Sequence, residues 1–175
     1  MSQFNYFIAD VKRMVGRRKL RLVYIWLGRA FWGILSYRLE RSIYLLMPKM
    51  YHIFRVPLTP LINLLEAYSN IEIHYQAEIQ GGLVILHPAM GVVISSEAVI
   101  GKNLTLTGGN VIGIKANYHG ERFAIGDNCN FGANATLIGP LILGHHTSIG
   151  ASACVVHDCV PDHCILVGVP AKPIH

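Results

Sequence analysis

Ile125-Gly126-Asp127-Asn128-Cys129-Asn130-Phe131-Gly132-Ala133-Asn134-Ala135-Thr136-Leu137 places a large apolar residue at every sixth position, commonly with glycine beside it. The frame continues through Leu143-Gly144, Ile149-Gly150 and Val155, and Val167-Gly168 closes it. A period of six fits neither the 3.6 residues of a helical turn nor the alternation of a hairpin; it is the pattern of hexapeptide β-helix repeats. Each hexad then supplies one short strand and one turn, and stacked coils bury the repeating side chain. Small residues at Cys129, Ala135, Thr147 and Ala153 suit narrow corners, and Gly or Asn after the aliphatic residue tolerates the bend.

The earlier half keeps its own frame, Ile73, Ile79, Ile85, then Ile94, Ile100-Gly101, Leu106 and Ile112-Gly113. The steps from Ile85 to Ile94 and from Ile112 to Ile125 break the period. A regular solenoid interrupts itself where a loop or site is wanted, so both breaks are candidate positions for chemistry.

Residues 1–70 carry 11 Lys/Arg against 3 Asp/Glu, and residues 71–175 carry 4 against 7, so a segment of +8 precedes one of −3. This division, with Asn70 as the boundary, predicts a basic, aromatic-rich helical segment (1–70) followed by the β-helix (71–175). Hydrophobic residues make up 52% and charged residues 14% of the chain, which excludes a disordered protein and implies extensive burial, an oligomer or a membrane surface. The four cysteines, 129, 154, 159 and 164, form no CxxC pair, and no signal-peptide pattern precedes them. They read as reduced, small buried fillers in a cytoplasmic setting.

Phe4, Phe7, Ile8, Val11 and Val15 recur at helical spacing behind Ser2, a cap. A basic cluster (Lys12, Arg13, Arg17, Arg18, Lys19, Arg21) leads into an apolar run from Leu22 to Met47, which Pro48 should end. No run reaches the ~18 apolar residues of a membrane span without an Arg. Aromatic residues interleaved with Arg do suit a headgroup region, and peripheral contact through residues 1–55, at the inner face of the cell membrane, is one expectation. An ordinary solvated face packed on neighbouring subunits is the other. No nucleic-acid recognition motif accompanies the charge. Pro57 and Pro60 are expected to start a last helix, Leu61 to Ala67.

Glu72 and His87 lie fifteen residues apart, and one coil takes about eighteen, so the two can meet on neighbouring turns. A carboxylate beside an imidazole fixes its tautomer and raises its basicity, as a general base for a hydroxyl requires. His145-His146 and His157 invite a metal reading, but neither they nor the Cys–His neighbours have defensible zinc spacing, and no metal is expected.

The run Glu72-Ile73-His74, Gly81-Gly82-Leu83-Val84-Ile85-Leu86-His87-Pro88-Ala89-Met90-Gly91-Val92-Val93-Ile94, Val99-Ile100-Gly101-Lys102-Asn103 and Val167-Gly168-Val169-Pro170-Ala171-Lys172 resembles the serine acetyltransferase branch of the hexapeptide acyltransferases. The resemblance implies a left-handed parallel β-helix, a homotrimer or hexamer, and acetyl-CoA as donor. It assigns His87 as general base and Glu72, for the family's Asp, as its partner. Gly113 matches a position near the thioester, Ala133, Gly150 and Ala151 match small positions along the pantetheine arm, and Lys172 matches a basic residue near the nucleotide phosphates.

The departures from the family pattern direct the choice of acceptor. Leu86 stands where serine-using members carry Asp, and Glu121-Arg122 stand for their Arg-His pair. The short basic segment is similar to that of small exopolysaccharide and capsule O-acetyltransferases of the colanic acid type. On these grounds the expected acceptor is a sugar hydroxyl in surface-polysaccharide biosynthesis, free or lipid-linked. Loop residues His119 and Arg122 are then candidates to meet it. Serine as acceptor, and a non-catalytic trimeric scaffold docked on membrane, are the alternatives.

Overall fold

The computed structural model describes residues 2–18, 20–115 and 123–174. Helix α1 spans Gln3–Val15, with the Ser2 hydroxyl accepting from the Asn5 amide at 3.4 Å. The expected continuous run from Leu22 to Met47 is divided. A short α2, Arg21–Tyr24, passes into a 3₁₀ turn, Ile25–Leu27, and extended backbone at Gly28 separates these from α3, Arg29–Leu46.

Helix α4 is the larger correction, because it spans Tyr51–Ser69 and runs straight through Pro57 and Pro60. Each proline removes the donor to the carbonyl four residues earlier, at Ile53 and Val56, but both of those residues are exposed, where water can serve instead. Asn70 ends α4 in the left-handed region, and β1 begins at Ile71.

The solenoid is a left-handed parallel β-helix. Its first coil holds β1 (Ile71–Ile73), β2 (Glu78–Ile79) and β3 (Val84–Ile85); the second holds β4 (Val92–Ile94), β5 (Ala98–Ile100) and β6 (Thr105–Leu106). The third holds β7 (Asn110–Ile114), β8 (Phe123–Ile125) and β9 (Asn130–Phe131), and the fourth β10 (Thr136–Gly139), β11 (Ile142–Leu143) and β12 (Ser148–Ile149). β13 (Cys154–Val155) and β14 (Ile165–Gly168) continue the stack, and β15 (Ala171–Pro173) folds back antiparallel on β14. Three sheets result, ordered β1-β4-β7-β10-β13, β2-β5-β8-β11 and β3-β6-β9-β12-β14-β15. The sixth-position residues from Ile73 to Val155 form the core, and Cys129, Ala135, Thr147 and Ala153 are buried at the corners as the pattern required.

The period slips near the end. Leu166, not Val167, faces the core, since it pairs with Ile149, and Val167 is half-buried. Two cysteines also depart from the reduced, filler reading: Cys159 and Cys164 are joined in a disulfide across the loop between β13 and β14. Cys129 and Cys154 are free. His145 and His146 sit at corners of the coils. His145 Nδ1 accepts from the Asp127 amide at 2.9 Å, and the rings of His146 and His163 stack at 4.6 Å on successive coils, both in left-handed backbone.

A β-helix must also satisfy the open end of its first coil, whose backbone groups have no coil below them. Here α1 and α3 do so with side chains. Tyr37 donates its hydroxyl to the Ala77 carbonyl and accepts from the Ile79 amide, while Arg41 reaches the Tyr75 and Gln76 carbonyls at 3.1 and 3.0 Å. Arg38 donates to the Ile79 and Gln80 carbonyls and to Asp10 at 2.9 Å, and Asp10 in turn accepts from the Gly82 and Leu83 amides at 2.6 and 2.7 Å. Asp10 is 0% and Arg38 2% exposed, so the pair lies wholly inside the joint between helices and solenoid. Burial pushes the Asp10 carboxyl above the ordinary carboxylate range, and the Arg38 charge and the two amides draw it back.

Candidate active site

One corner of the solenoid, where the β3 sheet turns into the β1 sheet, collects four of the predicted site residues, His87, Ala133, Gly150 and Ala151. On the first coil this corner is enlarged by a 3₁₀ turn, Pro88–Met90, which accounts for the break between Ile85 and Ile94. His87 opens it. The same corner on the next coils is made by Gly108-Gly109, then Ala133-Asn134, then Ala151-Ser152. Vertical hydrogen bonds tie these corners into a column: Gly109 N donates to Gly91 O, Asn134 N to Gly108 O, and Ser152 N to Ala133 O, at 2.7 to 2.9 Å. His87 itself is anchored through its amide on the Thr107 carbonyl at 2.8 Å, leaving its imidazole on an exposed residue.

The column therefore presents His87 at one end and small residues below it. A Cβ on Gly132 would meet the Ala151 amide at 2.6 Å, and one on Gly150 would meet Val167 Cγ1 at 2.9 Å, so these coils are stacked as tightly as small residues permit. Lys172 pairs with Val167 at the far end and is exposed. Glu72 lies around the corner from His87. It is exposed on β1, in register with Val93 and, on the following coil, Val111. Gly113 shares that outer face, two residues beyond Val111 or roughly 7 Å along the strand. Among the described residues no hydrogen bond or ion pair joins Glu72 to His87. His119 and Arg122, like Glu121, lie outside the described residues.

A cavity of about 400 Å³ opens on the Glu72 face, lined by Asn63, Glu66, Asn70, Glu72, Met90 and Asn110 among others. Its wall includes the turn that His87 begins, since the Met90 amide donates to the His87 carbonyl at 3.1 Å. Burial, then the charges of Glu72 and Glu40, hold the Glu66 carboxyl above its usual range. Burial and then the Arg55 charge hold His74 below the usual histidine range, with its Nδ1 accepting from the Gln76 amide. Leu86 does not line this cavity. It borders a second one, of about 450 Å³, with Met14, Arg21, Tyr24 and Phe31.

Three contributors escaped the sequence reading. Gly108 (φ +133°) sits so close beneath the His87 carbonyl that a Cβ would overlap it. Asn110, 0% exposed, accepts from the Gly108 amide at 2.9 Å and donates to the Gly132 carbonyl at 2.8 Å, bracketing two corners of the column. The Gly108-Gly109-Asn110 run is a strong turn signal one coil after His87, and it was there to be read. Glu66 carried no such signal, because helix α4 brings it to the cavity from outside the repeats.

The comparisons agree on one family. The serine acetyltransferase of Helicobacter pylori strain J99 is 34% identical over 143 residues, covering 81% of this chain and 79% of that protein. The serine acetyltransferase of Synechococcus elongatus is 33% identical over 124 residues, 69% of this chain and 50% of the relative. The chain thus spans about half the length of that relative and of the Mycobacterium tuberculosis one, where the matched share is 46%. The crystal structure of Neisseria gonorrhoeae serine acetyltransferase superposes with a TM-score of 0.80 at 31% identity, over 98% of this chain and 67% of that one. The same enzyme in complex with serine gives 0.77 at 29%. No family model matches.

Proposed function

Because the chain belongs to the serine acetyltransferase family, we propose that it transfers an acetyl group from acetyl-CoA to the hydroxyl of serine. The observation that carries this reading is the relationship to the Helicobacter pylori enzyme over about four fifths of both chains. The expectation of a sugar acceptor in surface-polysaccharide synthesis is corrected by the same finding, since the relatives and the solved neighbours at 29% identity or more are serine acetyltransferases. That expectation rested on Leu86 and Glu121-Arg122 as lost charge partners for an amino acid, and on the short basic segment. Leu86 faces the other cavity, and the cavity at Glu72 has carboxylates from Glu66 and Glu72, a lining suited to an ammonium group.

In this reading serine and acetyl-CoA are bound together. His87 takes the proton of the serine hydroxyl as its oxygen attacks the thioester carbonyl, and Glu72 steadies the imidazolium. Collapse of the tetrahedral adduct breaks the carbon–sulfur bond, and the imidazolium returns its proton to the departing CoA thiolate. The acetyl end lies near Gly113. The pantetheine arm follows the column past Ala133, Gly150 and Ala151 towards Lys172, whose cation faces the phosphates. A trimer suits the exposed Val93 and Val111 beside Glu72, which a neighbouring solenoid would cover.

The test is release of CoA thiol by the full chain with serine, against a panel of soluble glycans, with the product identified by mass spectrometry. O-acetylserine from serine, and no acetylated glycan, is the expected result; absence of any turnover with serine would sink the proposal. A second prediction concerns the support beneath the base. Gly108→Ala forces both the positive φ and the overlap with the His87 carbonyl, so the base shifts, and kcat/KM should fall about 100-fold while the trimer persists. Steady-state kinetics with size-exclusion chromatography checks it.

A further inference from the structure

The stretch between α1 and α3 has a character that neither the solenoid nor the proposed reaction uses. From Leu20 to Gly28 every residue except the half-buried Ile25 is exposed, and five of the exposed ones are bulky apolar side chains: Leu20 at 80%, Val23 at 73%, Leu22 and Leu27 at 60%, and Trp26 at 52%. Arg17, Arg18 and Arg21 are exposed in the same stretch. The first carboxylate in the sequence, Asp10, is buried against Arg38, and the next is Glu40, so no acidic side chain from residues 1–39 offsets these charges at the surface.

Two indole contacts make the apolar part ready for a non-aqueous phase. Trp26 Nε1 donates to the Val23 carbonyl at 2.8 Å, and Trp32 Nε1 donates to the Trp26 carbonyl at 2.6 Å. The exposed Trp26 ring therefore has its N–H already satisfied and needs no polar partner when it leaves water. No helix among the described residues is long and apolar enough to cross a membrane. An interfacial position needs only a rigid apolar tip a few residues long with cations around it.

We propose that the Arg17–Leu27 segment docks this protein on an anionic lipid surface, with Trp26, Val23, Leu22 and Leu20 in the interface and Arg17, Arg18 and Arg21 on the headgroup phosphates. Charge favours this occupant over a two-fold contact with a second copy of the chain. An isologous contact through this segment would bring Arg17, Arg18 and Arg21 against their own counterparts, whereas anionic headgroups neutralise them. The exposed apolar face of α4, with Ile53, Val56, Leu61 and Leu64, lacks such a cluster and is the surface suited to another subunit. The cavity that Leu86 borders lies between the docking segment and β3, so docking places the corner carrying His87 close to the lipid surface.

The test uses the full chain and sedimentation with vesicles of phosphatidylcholine alone or enriched in phosphatidylglycerol. Binding to the anionic vesicles, weakened by salt, is expected. Each basic residue at such a surface contributes about fivefold, so the Arg17→Ser/Arg18→Ser/Arg21→Ser variant should bind on the order of 100-fold more weakly. Trp26→Ser should also weaken binding, and in a Trp32→Phe background, where Trp26 is the one indole left, its emission should shift to the blue on the anionic vesicles and not on the neutral ones. Arg17, Arg18, Arg21 and Trp26 lie at the surface and Trp32 is half-buried, and circular dichroism confirms that the variants remain folded. Equal binding to neutral and anionic vesicles, or no loss in the triple variant, overturns the proposal. So does an oligomer that dissociates when Leu22 and Val23 are changed to Ser, which would assign the segment to a second copy.

Discussion

His87→Ala should reduce kcat by about 10² to 10⁴ while leaving the melting temperature and the oligomer unchanged. The separation of the two effects follows from where the residue is held. Its structural duties are carried by its backbone, the amide on Thr107 and the carbonyl under Met90, and alanine preserves both. The imidazole belongs to an exposed residue, so its removal leaves no cavity. Glu72→Gln should fall between wild type and His87→Ala, because the amide keeps the shape but cannot stabilise an imidazolium. Single-turnover kinetics with saturating acetyl-CoA isolates the chemical step. If His87→Ala turned over at the parental rate, the base would have to be sought elsewhere, and the column of small residues would be a scaffold without chemistry.

Asp10→Ala should produce the largest loss of stability in the molecule, about 3–5 kcal/mol. The change strands the Arg38 guanidinium in a site where it is 2% exposed and also deprives the Gly82 and Leu83 amides of their acceptor. Total stability for a domain of this kind is about 5–15 kcal/mol, so the variant should melt on the order of 10 °C lower, with the helices leaving the solenoid first. Thermal unfolding followed by circular dichroism measures it. The double variant Asp10→Leu/Arg38→Met should recover part of the loss, since no uncompensated charge remains, although the Ile79 and Gln80 carbonyls still lose their donor. A double variant as unstable as the single one would show that the carbonyl contacts, rather than the stranded charge, dominate.

The solenoid was readable because a six-residue period is a one-dimensional record of a three-sided coil. Ile85, Leu106, Phe131 and Ile149 face the core for the same reason that they recur in the sequence. The enlarged corner after His87 was readable as a missing beat in that record. Long-range partners were not. Nothing in the sequence near Asp10 announces Arg38, 28 residues away, or the amides of Gly82 and Leu83, and Glu66 enters the cavity only through the placement of α4. Pro57 and Pro60 misled because a proline rule for helix interiors assumes that the freed carbonyl is costly, and at exposed positions it is not. The acceptor was misjudged from Leu86, Glu121-Arg122 and the short basic segment, because nothing in the sequence showed that α4 brings the Glu66 carboxylate beside Glu72.

The helical cap also bears on how the chain reaches its native state as it is made. Asp10 is synthesised 72 residues before Gly82, whose amide donates to it in the finished joint. At about 5–20 residues per second, that interval is roughly 4–14 s, during which α1 and α3 exist without the surface that orders them. The Arg38 contacts to Ile79 and Gln80 wait for 41 and 42 residues. The helical segment thus waits for a surface made later, and its apolar residues must be kept from other chains until the first coil closes.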